Sequence, residues 1–341
     1  MHLGNAWTAL LAWLATRAAK GTVVLRMEDL DPARSKDRFA KDILADLAWL
    51  GLDWDEGPDI GGPYGPYRQS ARRDRYQRCL DQLERQGLLY PCYCTRAELR
   101  GNPAQPAHTR AQVRNNPPEP AQPLHTEESE LAHAGIAQAP HAGESEPVYA
   151  GTCLRLSEDA LAALKAAGRV PSLRVRVPDT RIAFTDRILG PREQNPATAC
   201  GDFVLRRCDG VHAYQLAVVA DDAAMRIREV VRGADLLDST ARQIALYRLL
   251  GLPEPAFAHV PLLVDPDGRR LSKRRGDVDL GLLRERGVSP VTIVGYLAYK
   301  AGLIDAPRSV APSELIDGFS FGALPQGPVI VQNDWLRAFS F

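Results

Sequence analysis

The sequence predicts an α/β fold built on a parallel sheet, on three observations. Short apolar, β-branched runs alternate with segments at helical spacing, in the order strand, helix, strand. The chain has 341 residues, 45% of them apolar and 25% charged, which is enough to bury a core and long for a single one. Lys plus Arg equals Asp plus Glu, 42 each, so a strongly basic nucleic-acid binder is not indicated, although a local basic patch is compatible. No run of about 18 apolar residues occurs, so no membrane span is expected. The segment before Lys20 lacks the basic start of a secretory leader. Six cysteines, unevenly placed, do not make a disulfide scaffold and point to a cytoplasmic enzyme with a metal site.

Each element follows from its pattern. Residues 5–19 read as a helix, with Trp7, Leu10, Leu11 and Leu14 on one face. Residues 22–27 are apolar and β-branched, the pattern of a buried strand. Helical patterns over 36–50 and 68–87 flank a turn-rich loop centred on Gly61-Gly62-Pro63. A helix in first place is unusual for this class and implies that a leading strand is missing. Residues 173–177, 202–206, 228–233 and 257–264 read as strands, and 236–250 as a helix closed by Gly251. Further helical patterns lie near 279–301. Residues 101–148 differ from the rest: eight prolines and nine alanines with few large aliphatics cannot offset the entropy of ordering, so a flexible insertion is expected. It holds four of the seven histidines, His108, His125, His133 and His141, at spacings that match no metal template.

Two segments carry candidate chemistry. His2-Leu3-Gly4-Asn5 opens the first helix, whose N–H groups and dipole attract phosphate, while Gly4 permits close approach. Arg269-Arg270-Leu271-Ser272-Lys273-Arg274-Arg275 places five cations in seven residues after a strand and a turn. Such charge can neutralise a transferring phosphoryl or adenylyl group, or simply be solvated.

Together, in this order and about 270 residues apart, the two resemble the HIGH-type and KMSKS-type motifs of class I aminoacyl-tRNA synthetases. Three further stretches are similar to glutamyl-tRNA synthetases: Arg26-Met27-Glu28-Asp29-Leu30-Asp31-Pro32-Ala33-Arg34, Ala213-Tyr214-Gln215-Leu216-Ala217, and Val231-Arg232-Gly233-Ala234-Asp235-Leu236. The resemblance covers most of the chain outside 101–148. It implies a Rossmann-like parallel sheet of a class I synthetase catalytic domain. His2, Gly4, Asn5 and Lys273 would contact ATP, with His2 and Lys273 acting in catalysis, and Glu28, Tyr214 and Arg232 would hold L-glutamate. The residue types suit that substrate. An ionised Glu28 accepts from an ammonium, and Arg232 offers a fork for a carboxylate. Taken singly, without the family match, Glu28 reads rather as a surface ion pair with Arg26 or Arg34, and Arg232 as a structural salt bridge with Asp235.

Cys92-Tyr93-Cys94 and Tyr149-Ala150-Gly151-Thr152-Cys153 bring three thiols into two short clusters, and thiolates are good zinc ligands. The pattern is similar to that of glutamyl-Q tRNA(Asp) synthetases, shortened members of the family, and by that resemblance Cys92, Cys94, Tyr149 and Cys153 bind one structural Zn2+. The 54 residues between Cys94 and Tyr149 make that loop longer than is expected of the family. Cys79, Cys200 and Cys208 are expected to be small buried hydrophobes. Only 67 residues follow Arg274, too few for an anticodon-binding region of the usual size. The expected organisation is therefore 1–89 as the first half of the catalytic domain and 90–175 as a zinc-bearing connective region containing the insertion. The second half spans 176–251, and the KMSKS-type loop with a small helical C-terminal domain spans 252–341. The family's strand and loop before its HIGH-type motif have no counterpart before His2. The implied activity is Mg2+-ATP-dependent activation of glutamate and its transfer to queuosine in tRNA(Asp), by a monomer. The alternatives are a paralogue charging a tRNA 3′ end and an impaired tRNA-binding paralogue.

Overall fold

A computed structural model describes residues 1–33, 35–95, 98–99, 148–271 and 279–331. The insertion expected at 101–148, apart from Val148, and the basic segment from Ser272 onward, including Lys273, lie outside the described residues.

Helix α1 (Leu3–Ala18) buries Leu3, Trp7, Leu10, Leu11 and Leu14, the face its periodicity predicts. The 22–27 run is extended, but it forms only isolated parallel bridges among the described residues, Val24 with Glu56 and Met27 with Arg68. Its partners at 55–69 run as loop and bridge rather than strand, so no continuous ladder forms. Most of the run is half-buried, not buried as its composition predicts. Amphipathic helices α2 (Asp37–Trp49) and α3 (Arg73–Arg85) follow. Next come β1 (Leu89–Cys92), α4 (Glu158–Ala166), β2 (Ser172–Val175), β3 (Ile182–Asp186), β4 (Gly190–Gln194), α5 (Pro196–Ala199) and β5 (Phe203–Arg206). The second half continues with α6 (Tyr214–Ala224), β6 (Glu229–Gly233), α7 (Leu237–Leu250), β7 (Ala256–Val260) and β8 (Leu263–Val264). The chain then runs through α8 (Leu280–Glu285), α9 (Pro290–Lys300) and β9 (Val329–Ile330). Gly251 ends α7 in the left-handed region at φ 64°, as its position predicts.

The expected parallel sheet is realised as mixed sheets. Strands β3, β7 and β6 are parallel, but β4 pairs antiparallel with β3, giving the order β4-β3-β7-β6. Three residues join β3 to β4, and so short a link can only return antiparallel. Strand β4 (GPREQ) is polar and largely exposed, and therefore carries no hydrophobic signal. Strands β1, β2 and β5 form a separate antiparallel sheet. The single strand expected over 257–264 is two, broken at Pro261, which has no N–H to donate and whose carbonyl accepts from the Trp7 indole at 2.8 Å.

Strand β7 separates two cores by alternation. Ala258 and Val260 face a core shared by α1, α2, α8 and α9, while Phe257 faces one built from α3, α6 and α7. No helix among the described residues is long and apolar enough to cross a membrane.

Candidate active site

Helix α1 along its length, from His2 to Thr16, the extended 22–28 segment and the edge of β6 border a cavity of about 360 Å3. It runs beside β6 from Glu229 to Gly233 and reaches that strand's carboxyl end, where α/β sheets bind ligands. Six residues singled out by sequence line it together: His2, Gly4, Asn5, Glu28, Tyr214 and Arg232. Leu271 also lines it, and His2 forms a bridge with Asp279. Of the described residues that flank 272–278, Leu271 thus borders the cavity and Asp279 meets the N-terminus of α1, while Lys273 itself lies outside them.

His2 is the N-cap of α1: its Nδ1 accepts from the Asn5 N–H at 3.3 Å. A Cβ on Gly4 would sit 3.4 Å from that imidazole, so the close approach that Gly4 permits is used first by His2 itself. The first turn of α1 carries no acidic residue, leaving the positive end of its dipole uncompensated within the helix.

One wall of the cavity is acidic. Arg26 bonds Asp222 Oδ1 at 2.6 Å and Glu28 Oε1 at 3.0 Å, and its Nε lies 3.8 Å from Asp221. Glu28 does pair with Arg26, but in a buried setting, and its Oε2 is buried with no hydrogen-bond partner. Burial raises the Glu28 pKa above the ordinary value despite the opposing pull of Arg26. Behind it, fully buried Asp221 accepts from Arg72 Nε at 2.5 Å, Tyr76 Oη at 2.7 Å and Gln69 Nε2 at 3.0 Å. Three carboxylates thus face two guanidiniums, a local balance of one negative charge. An ammonium group suits that wall.

The other wall is cationic. Arg232 projects from β6, buried, and every group it bonds among the described residues is neutral. Its Nε donates to His259 Nε2 at 3.1 Å and its Nη1 to Gln243 Oε1 at 2.7 Å. Its Nη2 donates to Thr240 Oγ1 at 2.8 Å and reaches the Leu236 carbonyl at 3.4 Å. The alternative reading of Arg232, a salt bridge with Asp235, is not what the structure shows: Asp235 pairs with Arg270. A buried guanidinium without a carboxylate partner is a receptor for an anion. Tyr214 also lines the cavity, and burial pushes its phenol well above the ordinary range, keeping it a neutral donor.

A second cluster lies in a small core of Tyr90, Cys92, Tyr93, Tyr149 and Cys153. The Cys92, Cys94 and Cys153 sulfurs lie within 4.8 Å of one another, with Cys94 and Cys153 at 3.5 Å. Thiolates on one tetrahedral zinc stand roughly 3.8 Å apart, so the spacing fits. The Tyr149 hydroxyl is 3.5 Å from Cys92 Sγ, and the Arg174 guanidinium lies 3.8 Å over the Tyr149 ring. Hydrogen bonds from Cys153 and Cys94 pull the Cys92 thiol below its ordinary range, toward the ligating form. Of the other cysteines, Cys79 and Cys200 are half-buried, but Cys208 is exposed. It lies in the turn after β5 rather than on its inward face, which corrects the expectation that it is buried.

Sequence reading did not pick out Thr240, Gln243, His259 or Asp186. The first two are polar residues three apart on the buried side of α7, and His259 interrupts an apolar strand. Each is a signal that becomes specific only when Arg232 is seen between them.

The model of the family "tRNA synthetases class I (E and Q), catalytic domain" matches residues 1–141 and 124–306. The chain is 50% identical over its full length to a glutamyl-Q tRNA(Asp) synthetase of Symbiobacterium thermophilum, covering 95% of that protein. It is 47% identical to one of Nitratidesulfovibrio vulgaris, over 98% of this chain and 93% of that one. A glutamate–tRNA ligase 2 of Acidithiobacillus ferrooxidans is 40% identical, over 96% of this chain and 61% of its own length. Among solved structures, the glutamate-tRNA synthetase of Elizabethkingia anophelis superposes with a TM-score of 0.76 at 27% identity, over 99% of this chain and 67% of that one.

Proposed function

Since the chain belongs to the class I tRNA synthetases (E and Q), we propose that it activates L-glutamate with ATP and transfers it to the queuosine base of tRNA(Asp). The single observation that carries the glutamate reading is the polarity of one cavity: a neutral-shelled Arg232 faces an acidic wall bearing the unpartnered Glu28 Oε2. Glutamate has one ammonium and two carboxylates, and the two walls complement it. Identity supports the choice of acceptor: the two glutamyl-Q tRNA(Asp) synthetases are 50% and 47% identical over nearly the whole of both chains, against 40% for the glutamate–tRNA ligase 2.

The nucleophile is a carboxylate already ionised, so no general base is required in the first step. An α-carboxylate oxygen bonds to the α-phosphorus of ATP, the bond to the bridging oxygen breaks, and pyrophosphate leaves. Catalysis is then positioning and charge stabilisation. Glu28 holds the ammonium, Arg232 a carboxylate, and Tyr214 donates from its phenol. The N-terminus of α1, with His2, Gly4 and Asn5, receives phosphate and ribose. Lys273 meets the charge that develops on pyrophosphate, and Mg2+ arrives with ATP. In the second step a hydroxyl of the cyclopentene-diol of queuosine attacks the acyl carbon. Its proton is lost, AMP departs, and an ester remains. Cys92, Cys94, Tyr149 and Cys153 would hold a structural Zn2+ that braces the connective region, away from the chemistry.

The test is L-glutamate-dependent ATP–pyrophosphate exchange without tRNA, followed by transfer to tRNA(Asp) with and without queuosine and nuclease mapping of the ester. Exchange and a label confined to the queuosine-bearing anticodon fragment are expected. A label at the 3′ end would replace this reading with an ordinary charging enzyme, and absent exchange would remove the adenylation step.

A further inference from the structure

Arg232 and His259 are direct cross-strand partners in the parallel register of β6 and β7. Both turn toward α7, where Thr240 and Gln243 complete the surround. His259 is fully buried, and its Nδ1 lies 2.6 Å from Asp186 Oδ2. Asp186, at the end of β3, is itself fixed by backbone N–H donors from Ile188 and Leu189 at 3.0 and 2.8 Å and from His259 at 3.1 Å. Against burial, which favours the neutral acid, the His259 ring and then the Leu189 and Ile188 N–H groups hold its carboxyl below the ordinary range, so it stays ionised.

This geometry permits one form of the imidazole. A bare Nδ1 would point its lone pair at a carboxylate, so Nδ1 carries the proton. On the other side Arg232 Nε–H points at Nε2 from 3.1 Å. A proton on Nε2 would meet that N–H head-on and set two cations side by side in the interior. Nε2 is therefore a bare acceptor and the ring is neutral. Burial, the largest influence on it, also disfavours the imidazolium.

We infer that His259 is a positioning residue for Arg232: anchored by Asp186, it accepts the Arg232 Nε–H and so fixes which edge of the guanidinium faces the cavity. With Nε held by His259, and Nη1 and Nη2 by Gln243 and Thr240, the fork cannot rotate about its terminal bonds. The neutral acceptor orients the cation without cancelling it, and the charge stays available to an incoming carboxylate. A carboxylate in place of His259 would orient Arg232 equally well and consume it. This inference rests on Arg232 as the carboxylate receptor of the proposed function.

Two measurements test it separately from that function. In unliganded protein carrying 15N-histidine, the His259 resonances, assigned by their loss in His259→Gln, should report a protonated Nδ1 and a bare Nε2 at neutral pH. An Nε2–H tautomer or an imidazolium would overturn the inference, whatever the enzyme's activity and however the variants fold. In pyrophosphate exchange, His259→Phe should raise KM for glutamate about 10- to 100-fold while KM for ATP and kcat stay within about 2-fold. His259→Gln, whose side-chain oxygen can stand where Nε2 stands, should recover most of that loss. An unchanged glutamate KM in His259→Phe, or an equal rise in both KM values, would sink the positioning role. Absence of exchange in the wild-type protein would count against the proposed function alone, and the tautomer would then decide this inference.

Discussion

Asp235 lies three residues after Arg232 and yet pairs with Arg270. Glu229, three residues before, pairs with Arg187, so both of the acidic residues nearest in sequence are taken by other cations and Arg232 is left with neutral partners. Lys in place of Arg232 keeps the charge but loses the planar fork and the Nε–H that meets His259. Arg232→Lys is expected to raise KM for glutamate about 10- to 100-fold with KM for ATP nearly unchanged. Initial rates of exchange at varied glutamate and ATP check this, and a parallel rise in both KM values would refute a role at the carboxylate.

Glu28 supplies the pH dependence. Its pKa is raised by burial, which outweighs the pull of Arg26. The ionised form, which an ammonium needs, is therefore lost as pH falls through a value above that of an ordinary glutamate. Glutamate KM should rise with falling pH earlier than an exposed carboxylate would allow. Glu28→Gln should show a high KM that no longer depends on pH in this window. Linkage sets the sign for stability. A carboxyl whose folded pKa is raised favours the fold below its unfolded value, and that contribution is lost as pH rises through the folded value. Glu28→Gln is thus expected not to lower the thermal midpoint at neutral pH, a result calorimetry can read.

Much of this site was legible before the fold was. His2, Gly4, Glu28, Tyr214 and Arg232 stand in motifs that the resemblance to class I synthetases assigned to one site, and all of them line the same cavity. Their partners were not legible, because partnership here is a matter of register. His259 meets Arg232 only through the pairing of β6 with β7, and Asp186 meets His259 only because β3 lies on the other side of β7. Strand β4 escaped notice because an exposed polar edge leaves no apolar alternation to read. Residues 22–27 misled in the opposite way: β-branched composition signals extended backbone but says nothing of whether both edges find partners.

The Asp221 cluster makes a stability prediction. Arg72 and Asp221 are both fully buried, and Tyr76 and Gln69 complete the carboxylate's shell. Asp221→Asn leaves the buried Arg72 guanidinium without the carboxylate it pairs with, while Arg26 keeps Asp222 and Glu28. Removing one partner of such a pair is expected to cost about 3–5 kcal/mol. Denaturant unfolding should show that loss in the midpoint, and a change below about 1 kcal/mol would mean that Asp222 and water compensate fully.

The thiol cluster predicts a metal-dependent part of the fold. Cys92 sits at the end of β1 and Cys153 in the helical turn 152–155, so one ion would clamp two segments 59 residues apart at Cys94 and Cys153. Closing so long a loop costs the chain entropy that the ligand bonds offset. Purified protein should contain about one zinc per chain, released by a chelator together with a fall in thermal midpoint. Cys153→Ser should lose most of the zinc. Tyr149→Phe should retain the three thiolates and bind more weakly, because the fourth donor is removed while Arg174 still packs on the ring. Metal content by elemental analysis and competition with a chromophoric chelator separate these outcomes without reference to activity. Equal zinc affinity in Tyr149→Phe and wild type would remove Tyr149 from the ligand set and leave a three-thiolate site.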